Sequence, residues 1–240
     1  KLLPVETEDG KLTVEGIKKH IKGINFEHHS QPRIISITQA TELGTVYSQY
    51  EIKELADYAH ENNMYLHMDG ARIANAAVTV GKGLREFTRD AGVDVLSFGG
   101  TKNGMMYGEA ILFFNNIAEE EFKYIRKQGM QLASKMRFIS AQFLRYLSNN
   151  LWYETARHSN EMARLLADEA SRIDGIEITQ KVEANGVFAK VPPEIIPELQ
   201  KEFMFYLWDD ENAVVRWMTS YDTTEQDIYD FVALMRKLMD

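Results

Sequence analysis

Cysteine is absent from all 240 residues, so disulfides, thiolate metal centres and cysteine nucleophiles are excluded together, and nothing points to an oxidising compartment. Basic residues are short as well: 27 against 36 acidic ones leave a net charge of −9 with histidine neutral. That balance argues against a surface built for nucleic acid. No apolar run approaches the roughly 20 residues that cross a bilayer, and the opening KLLPVETEDG lacks the apolar core of a signal peptide. Cytoplasmic residence without a membrane partner is the expectation. Internal repeats and low-complexity tracts are missing too. What is there is an ordinary mixture, 45% hydrophobic and 26% charged, able to bury a sizeable core. The chain opens at Lys1 without a methionine and runs into an acidic, loop-like stretch, as a piece of a longer polypeptide would.

Hydrophobic spacing predicts alternating strands and helices. Val14, Ile17, Ile21 and Ile24 mark a helix over 13–25. The β-branched run 33–38 reads as a strand covered on both faces. Ser48 and Glu51 form a capping box for a helix that buries Ile52, Leu55, Ala56 and Ala59, and Met64 to Asp69 is the next strand, which completes a right-handed crossover. Helical turns follow at 70–80 and in LREFTRDA, then strands at 93–98 and 109–114. A long helical region from Asn115 to about Ile173 breaks once, near Asn149 and Asn150. Beyond Gly175 come short strands near 177–179, 186–191, 204–208 and 213–220, a helix over 194–202 and a last helix capped by 223–226. The expected fold is α/β: a sheet domain over 1–115, an interdomain helical region over 116–150, and a smaller α+β domain over 151–240.

Ligands of open parallel sheets bind beyond the carboxyl ends of the strands. Two such ends carry chemistry: His67-Met68-Asp69-Gly70-Ala71-Arg72, and Ser97-Phe98-Gly99-Gly100-Thr101-Lys102. An acid, an arginine and a lysine are expected on one rim. The trio suits pyridoxal phosphate, with the lysine amine forming an imine with its aldehyde and the carboxylate keeping the pyridine nitrogen protonated. The glycines would let backbone approach the cofactor closely. Simple turn chemistry and a surface ion pair explain the same residues, and a nucleotide-binding loop is not matched.

The runs TQATELGTVYS (38–48), LHMDGARIANA (66–76) and SFGGTKNGMMYGEAILFF (97–114) resemble low-specificity threonine aldolases, pyridoxal-phosphate enzymes of the β-eliminating lyase group with the aspartate aminotransferase fold. The likeness continues through RKQGMQLASKMRF (126–138), ANGVFAKVPP (184–193) and VRWMTSYDTTEQDI (215–228). It implies a fold type I large domain with a mostly parallel sheet and a smaller C-terminal domain. It makes Lys102 the Schiff-base lysine and Asp69 the partner of the ring nitrogen. Arg72 would contact the cofactor or the substrate carboxylate, Thr101 the cofactor, and Arg216 the α-carboxylate. The implied reaction is retro-aldol cleavage of L-threonine or L-allo-threonine to glycine and an aldehyde, in a dimer or tetramer with shared sites. β-Elimination or transamination of another amino acid, and a non-catalytic fragment, stay open beside it.

The resemblance also implies a phosphate-cupping turn and a ring-stacking histidine that lie before the first residue here, so the isolated chain is expected to bind the cofactor weakly or not at all. His20, His28, His29, His60, His67 and His158 match no family motif. His67 reads as a strand-face residue, and none is assigned as general base. The apolar spacing of Phe122, Met130, Met136, Phe138, Phe143, Tyr146 and Trp152 indicates core or a subunit interface, and Lys127, Lys135 and Arg137 fit a subunit boundary or a solvated helix face. The acids at 119–121 and 209–211 read as helix-start and turn residues, and no metal is expected.

Overall fold

The computed structural model describes residues 1–117 and 120–239. Helix α1 (Val14–Lys18) opens on Thr13, whose hydroxyl accepts the Gly16 N–H, and buries only Ile17. It is shorter than the expected 13–25. The Gln31 amide clasps the following turns, donating to the carbonyls of Gly23, Phe26 and His29 and accepting the Asn25 N–H, so this backbone is satisfied without a helix.

Strand β1 (Ile34–Thr38), helix α2 (Gln49–Glu61), strand β2 (Tyr65–Gly70), helix α3 (Ile73–Val80) and strands β3 (Val95–Gly99) and β4 (Glu109–Phe113) build the first layer. The sheet runs β1-β2-β3-β4, with the first three strands parallel and β4 antiparallel to β3. The Ser48–Glu51 capping box is closed in both directions, and Ile52, Leu55, Ala56 and Ala59 are all buried. Strand β1 corrects one expectation. It lies at the sheet edge and buries only alternate residues, Ile35 and Ile37, while Ile34 stands 60% exposed. LREFTRDA forms only a 3-10 turn at Arg89–Ala91, which Gly92 ends in the left-handed region at φ +94°.

Among the described residues the helical stretch is three helices: α4 (Phe122–Gln128), α5 (Met136–Tyr146) and α6 (Leu151–Ala170). A break beyond the expected one falls after Gly129, where Met130 takes φ +56°. Of the acids at 119–121, Glu119 lies outside the described residues, and Glu121 stands at the N-terminus of α4. The apolar set divides. Tyr146 is buried, Phe143 and Trp152 pack on the core, and Met130 and Phe138 are exposed.

The C-terminal layer contains β5 (Glu177–Ile178), β6 (Gly186–Lys190), α7 (Ile196–Glu202), β7 (Tyr206–Asp209), β8 (Val214–Met218) and α8 (Glu225–Met239). Its strands form an antiparallel sheet ordered β5-β6-β8-β7. Pro197 in the first turn of α7 suits a position whose N–H has no helical partner. Thr224 and Asp227 cap α8 reciprocally. Two apolar cores result, one around the parallel sheet and one where α6 and α8 cover the antiparallel sheet through Leu166, Val187, Val215, Trp217, Phe231 and Met235. Helix α6 touches α3 on one side and α8 and β6 on the other. No helix among the described residues is long and apolar enough to cross a membrane.

Candidate active site

Asp69 is the penultimate residue of β2, at the carboxyl rim of the parallel strands, in register with Thr38 of β1 and Ser97 of β3. Its Oδ1 accepts the Ala71 N–H at 3.0 Å, a turn bond that fixes the carboxylate. Two residues earlier on the same face, His67 lies between Ser36 (Nδ1 to Oγ, 2.8 Å) and Ser97 (Nε2 to Oγ, 3.1 Å). Burial pushes its imidazole below the ordinary value, and the nearby Asp69 charge opposes this.

Lys102 lies in the 3-10 turn Thr101–Asn103, just past β3, and is exposed on the rim. Its two neighbours hold the turn. The Thr101 hydroxyl accepts the Gly108 N–H at 3.1 Å and so closes the loop 101–108. Asn103, buried, donates to Tyr146 Oη at 2.7 Å and to the Trp152 carbonyl at 2.9 Å. Burial pushes the Tyr146 phenol up to about 12, so it stays protonated. The glycines of this turn are also closely packed against the protein itself. A Cβ at Gly99 would stand 2.8 Å from Ala71 Cα, and one at Gly100 would stand 2.1 Å from Met105 Sδ. They therefore let β3 and its turn close on the protein's own atoms. Glu109, paired with Gly99 in the sheet, ties the rim together. Burial raises its pKa, against hydrogen bonding to Thr101 and the Lys102 charge, while the Asp69 charge raises it further.

Arg72 and Arg216 line one narrow cleft, with Thr41, Glu42, Asn185 and Phe188. Burial lowers the Arg72 pKa; the Glu42 charge opposes this, Arg216 adds to it, and Asp69 opposes it. Arg216 projects from β8 between Phe188 of β6 and Tyr206 of β7. Its spacing in an alternating strand reads as an edge charge, yet β8 is an interior strand. The guanidinium carbon lies 4.7 Å from the Trp208 ring centre and 5.8 Å from that of Tyr206, a stacked arrangement suited to a planar cation. Arg216 Nε and Asn185 Oδ1 are buried without a partner among the described residues.

The five residues predicted from sequence thus fall into two groups: Asp69, Thr101 and Lys102 on the sheet rim, and Arg72 with Arg216 in the adjoining cleft. Sequence reasoning missed Glu42, Asn103, Glu109 and Asn185. Asn103 and Glu109 stand inside the lysine run, where their neighbourhood was the available signal; Glu42 and Asn185 come together only through the tertiary fold. The donor set fits pyridoxal phosphate with an amino acid. A carboxylate can face a protonated ring nitrogen, a primary amine an aldehyde, and two guanidiniums a carboxylate, while the orphaned Nε and Oδ1 in the cleft walls favour a zwitterionic guest.

Comparisons with known proteins agree. The model of the beta-eliminating lyase family matches residues 1–192. The low specificity L-threonine aldolases of a Pseudomonas species and of Pseudomonas aeruginosa are 43% and 42% identical over the whole chain, which spans 69% of each. Among solved structures, the Leishmania major threonine aldolase superposes on all of the chain and 71% of its own, with a TM-score of 0.92 and 29% identity. Other solved structures align at lower identity, mouse CSAD among them at 15% with a TM-score of 0.72, which reflects the fold alone. The chain belongs to the beta-eliminating lyase family, alongside the low-specificity L-threonine aldolases.

Proposed function

We propose that this protein is a pyridoxal-phosphate-dependent aldolase that cleaves L-threonine or L-allo-threonine to glycine and acetaldehyde. The observation that carries the reading is the carboxylate and amine on one sheet rim beside a cleft with two guanidiniums. Pyridoxal phosphate, when bound, supplies the aldehyde to which amines bond and the ring that accepts the electron pair released at Cα. Lys102 would hold the cofactor through its amine, the group that the substrate amine would replace. Its exposure lets the amine exchange protons with water, and the closed 101–108 loop fixes its reach. Asp69, braced by the Ala71 N–H, would hold the ring nitrogen in its protonated form. Thr101 contributes to the cofactor site through the turn it closes. Arg72 and Arg216 would grip the α-carboxylate, for which a guanidinium fork is suited, and so orient the amino acid.

The whole-chain likeness to the two Pseudomonas aldolases supports the substrate class. The charge balance and lack of cysteine support a cytoplasmic enzyme. We also infer a homodimer or homotetramer, supported by the apolar side chains that α4, α5 and the turn between them leave exposed, among them Ile125, Met130, Phe138 and Leu144. Residues 1–115, 116–150 and 151–240 are proposed as cofactor domain, connecting helices and small domain. Product analysis tests the function. Glycine and acetaldehyde in equal amounts from L-threonine are expected; a keto acid with ammonia would assign elimination instead.

A further inference from the structure

The cleft between Arg72 and Arg216 contains a carboxylate that the aldol chemistry does not use. Glu42 stands in the tight turn 41–45. There the Gly44 N–H donates to the Thr41 carbonyl at 3.0 Å, the Thr41 N–H to the Thr45 carbonyl at 2.9 Å, and the two threonine hydroxyls meet at 2.7 Å. Gly44 takes φ +77° against Phe188, where a Cβ would lie 3.5 Å from the ring, so the turn is seated on the small sheet. From this turn Glu42 Oε2 accepts from Arg216 Nη1 at 3.2 Å, across 174 positions of sequence. The pair is unequal. The Glu42 side chain is 58% exposed and that of Arg216 only 16%. A carboxylate in water is screened and loosely held, whereas the guanidinium, stacked on Trp208, cannot follow it.

We propose that Glu42 is a specificity-determining residue: an internal carboxylate that occupies Arg216 until the α-carboxylate of the amino acid displaces it. The proposal rests on the reading of Arg216 as the substrate clamp. A guest carboxylate competes with Glu42 for the same donors, so its apparent affinity is lowered by the fraction of time Glu42 holds them. Once displaced, Glu42 remains at the mouth of the cleft. Two guanidiniums and one carboxylate sum to a single positive charge, which one substrate carboxylate neutralises. A second carboxylate on the β-carbon then meets Glu42 without compensation, so the cleft selects monocarboxylic β-hydroxy amino acids over dicarboxylic ones.

The test compares holoenzyme carrying Glu42→Gln, Glu42→Asp and Arg216→Lys, by KM and kcat for L-threonine, the Kd of glycine from absorbance titration, and kcat/KM for β-hydroxyaspartate against threonine. Glu42→Gln is expected to lower both KM and the glycine Kd about threefold and to narrow the preference for threonine by about tenfold. Glu42→Asp keeps the wild-type preference, and Glu42→Gln loses its effect on KM when Arg216→Lys is also present. A KM and a glycine Kd that rise or stay constant in Glu42→Gln would overturn the proposal, as would an unchanged preference. If Arg216→Lys alone leaves glycine and threonine binding untouched, the clamp reading itself fails and the proposal with it.

Discussion

Asn75 and Asn160 exchange two hydrogen bonds beneath the cleft. Asn75 Nδ2 donates to Asn160 Oδ1 at 2.9 Å, and Asn160 Nδ2 donates to the Asn75 carbonyl at 3.0 Å. Asn75 Nδ2 also reaches Ser159 Oγ at 2.9 Å, and the Ser159 carbonyl accepts the Thr219 hydroxyl at 2.7 Å. Asn75 lies three residues after Arg72, and Thr219 three after Arg216. A buried polar network therefore ties α3, which Arg72 opens, through α6 to Thr219, just past the strand that bears Arg216.

Replacing Asn160 with alanine should leave Asn75 groups buried with fewer partners. We expect a loss of about 2 kcal/mol in folding stability, measured by urea denaturation. The KM for threonine should rise with it, because Arg72 and Arg216 lose their common support.

The two rim residues should separate by kinetics. Lys102→Ala is expected to abolish the visible absorbance of the cofactor-loaded enzyme. Asp69→Asn should keep that absorbance and lower kcat by about 10²- to 10⁴-fold, since an amide cannot hold the ring nitrogen protonated. Absorption spectra and steady-state assays check both; an Asp69→Asn enzyme with wild-type kcat would remove the carboxylate from the chemistry.

Gly99 sets the spacing between the strand that bears Asp69 and the loop that bears Lys102. Gly99→Ala would place a methyl 2.8 Å from the Ala71 backbone, which cannot swing aside as a side chain would. The expected outcome is about 1–3 kcal/mol of destabilisation and a kcat lowered more than KM is raised. Ala71→Gly should not rescue it, because the clash is with Cα and the carbonyl oxygen.

His67 predicts an acid limb in stability. Burial holds its folded pKa below the ordinary value, against the opposing pull of Asp69, so the unfolded chain binds the proton more readily. Its contribution is complete above about pH 6.5, the unfolded value, and is lost as pH falls toward and through the folded one. Urea midpoints of wild type and His67→Gln, followed from about pH 7.5 to pH 5, should show a shallower decline in the variant.

The lobe order and the rim were readable in the sequence because both rest on local signals. The Ser48–Glu51 box, the α2 apolar face and the carboxyl ends of β2 and β3 are set by neighbours a few residues away. The 13–25 spacing failed for a non-local reason, since Gln31 satisfies the backbone that a longer helix would have used. Strand β1 reads as doubly covered from its branched residues, but its place at the edge depends on pairing partners, which composition does not encode. Arg216 illustrates the same limit at the site. Its value arises from Trp208, Tyr206 and Glu42, all brought to it by the fold, and no spacing within β8 distinguishes it from a solvated charge.

The 20 residues of α6 make a rod about 30 Å long that touches α3, which Arg72 opens, and both α8 and β6, the latter paired with the strand β8 that carries Arg216. In the proposed aldolase such a rod spaces the two elements that would hold the guest molecule. Remodelling the walls of the cleft changes what can touch the amino acid, whereas shifting the register of this rod changes the span over which it is gauged. Redesign toward bulkier β-substituents would then begin where α6 meets α3 and β6, away from its first turn, where the Trp152 carbonyl holds Asn103 beside Lys102.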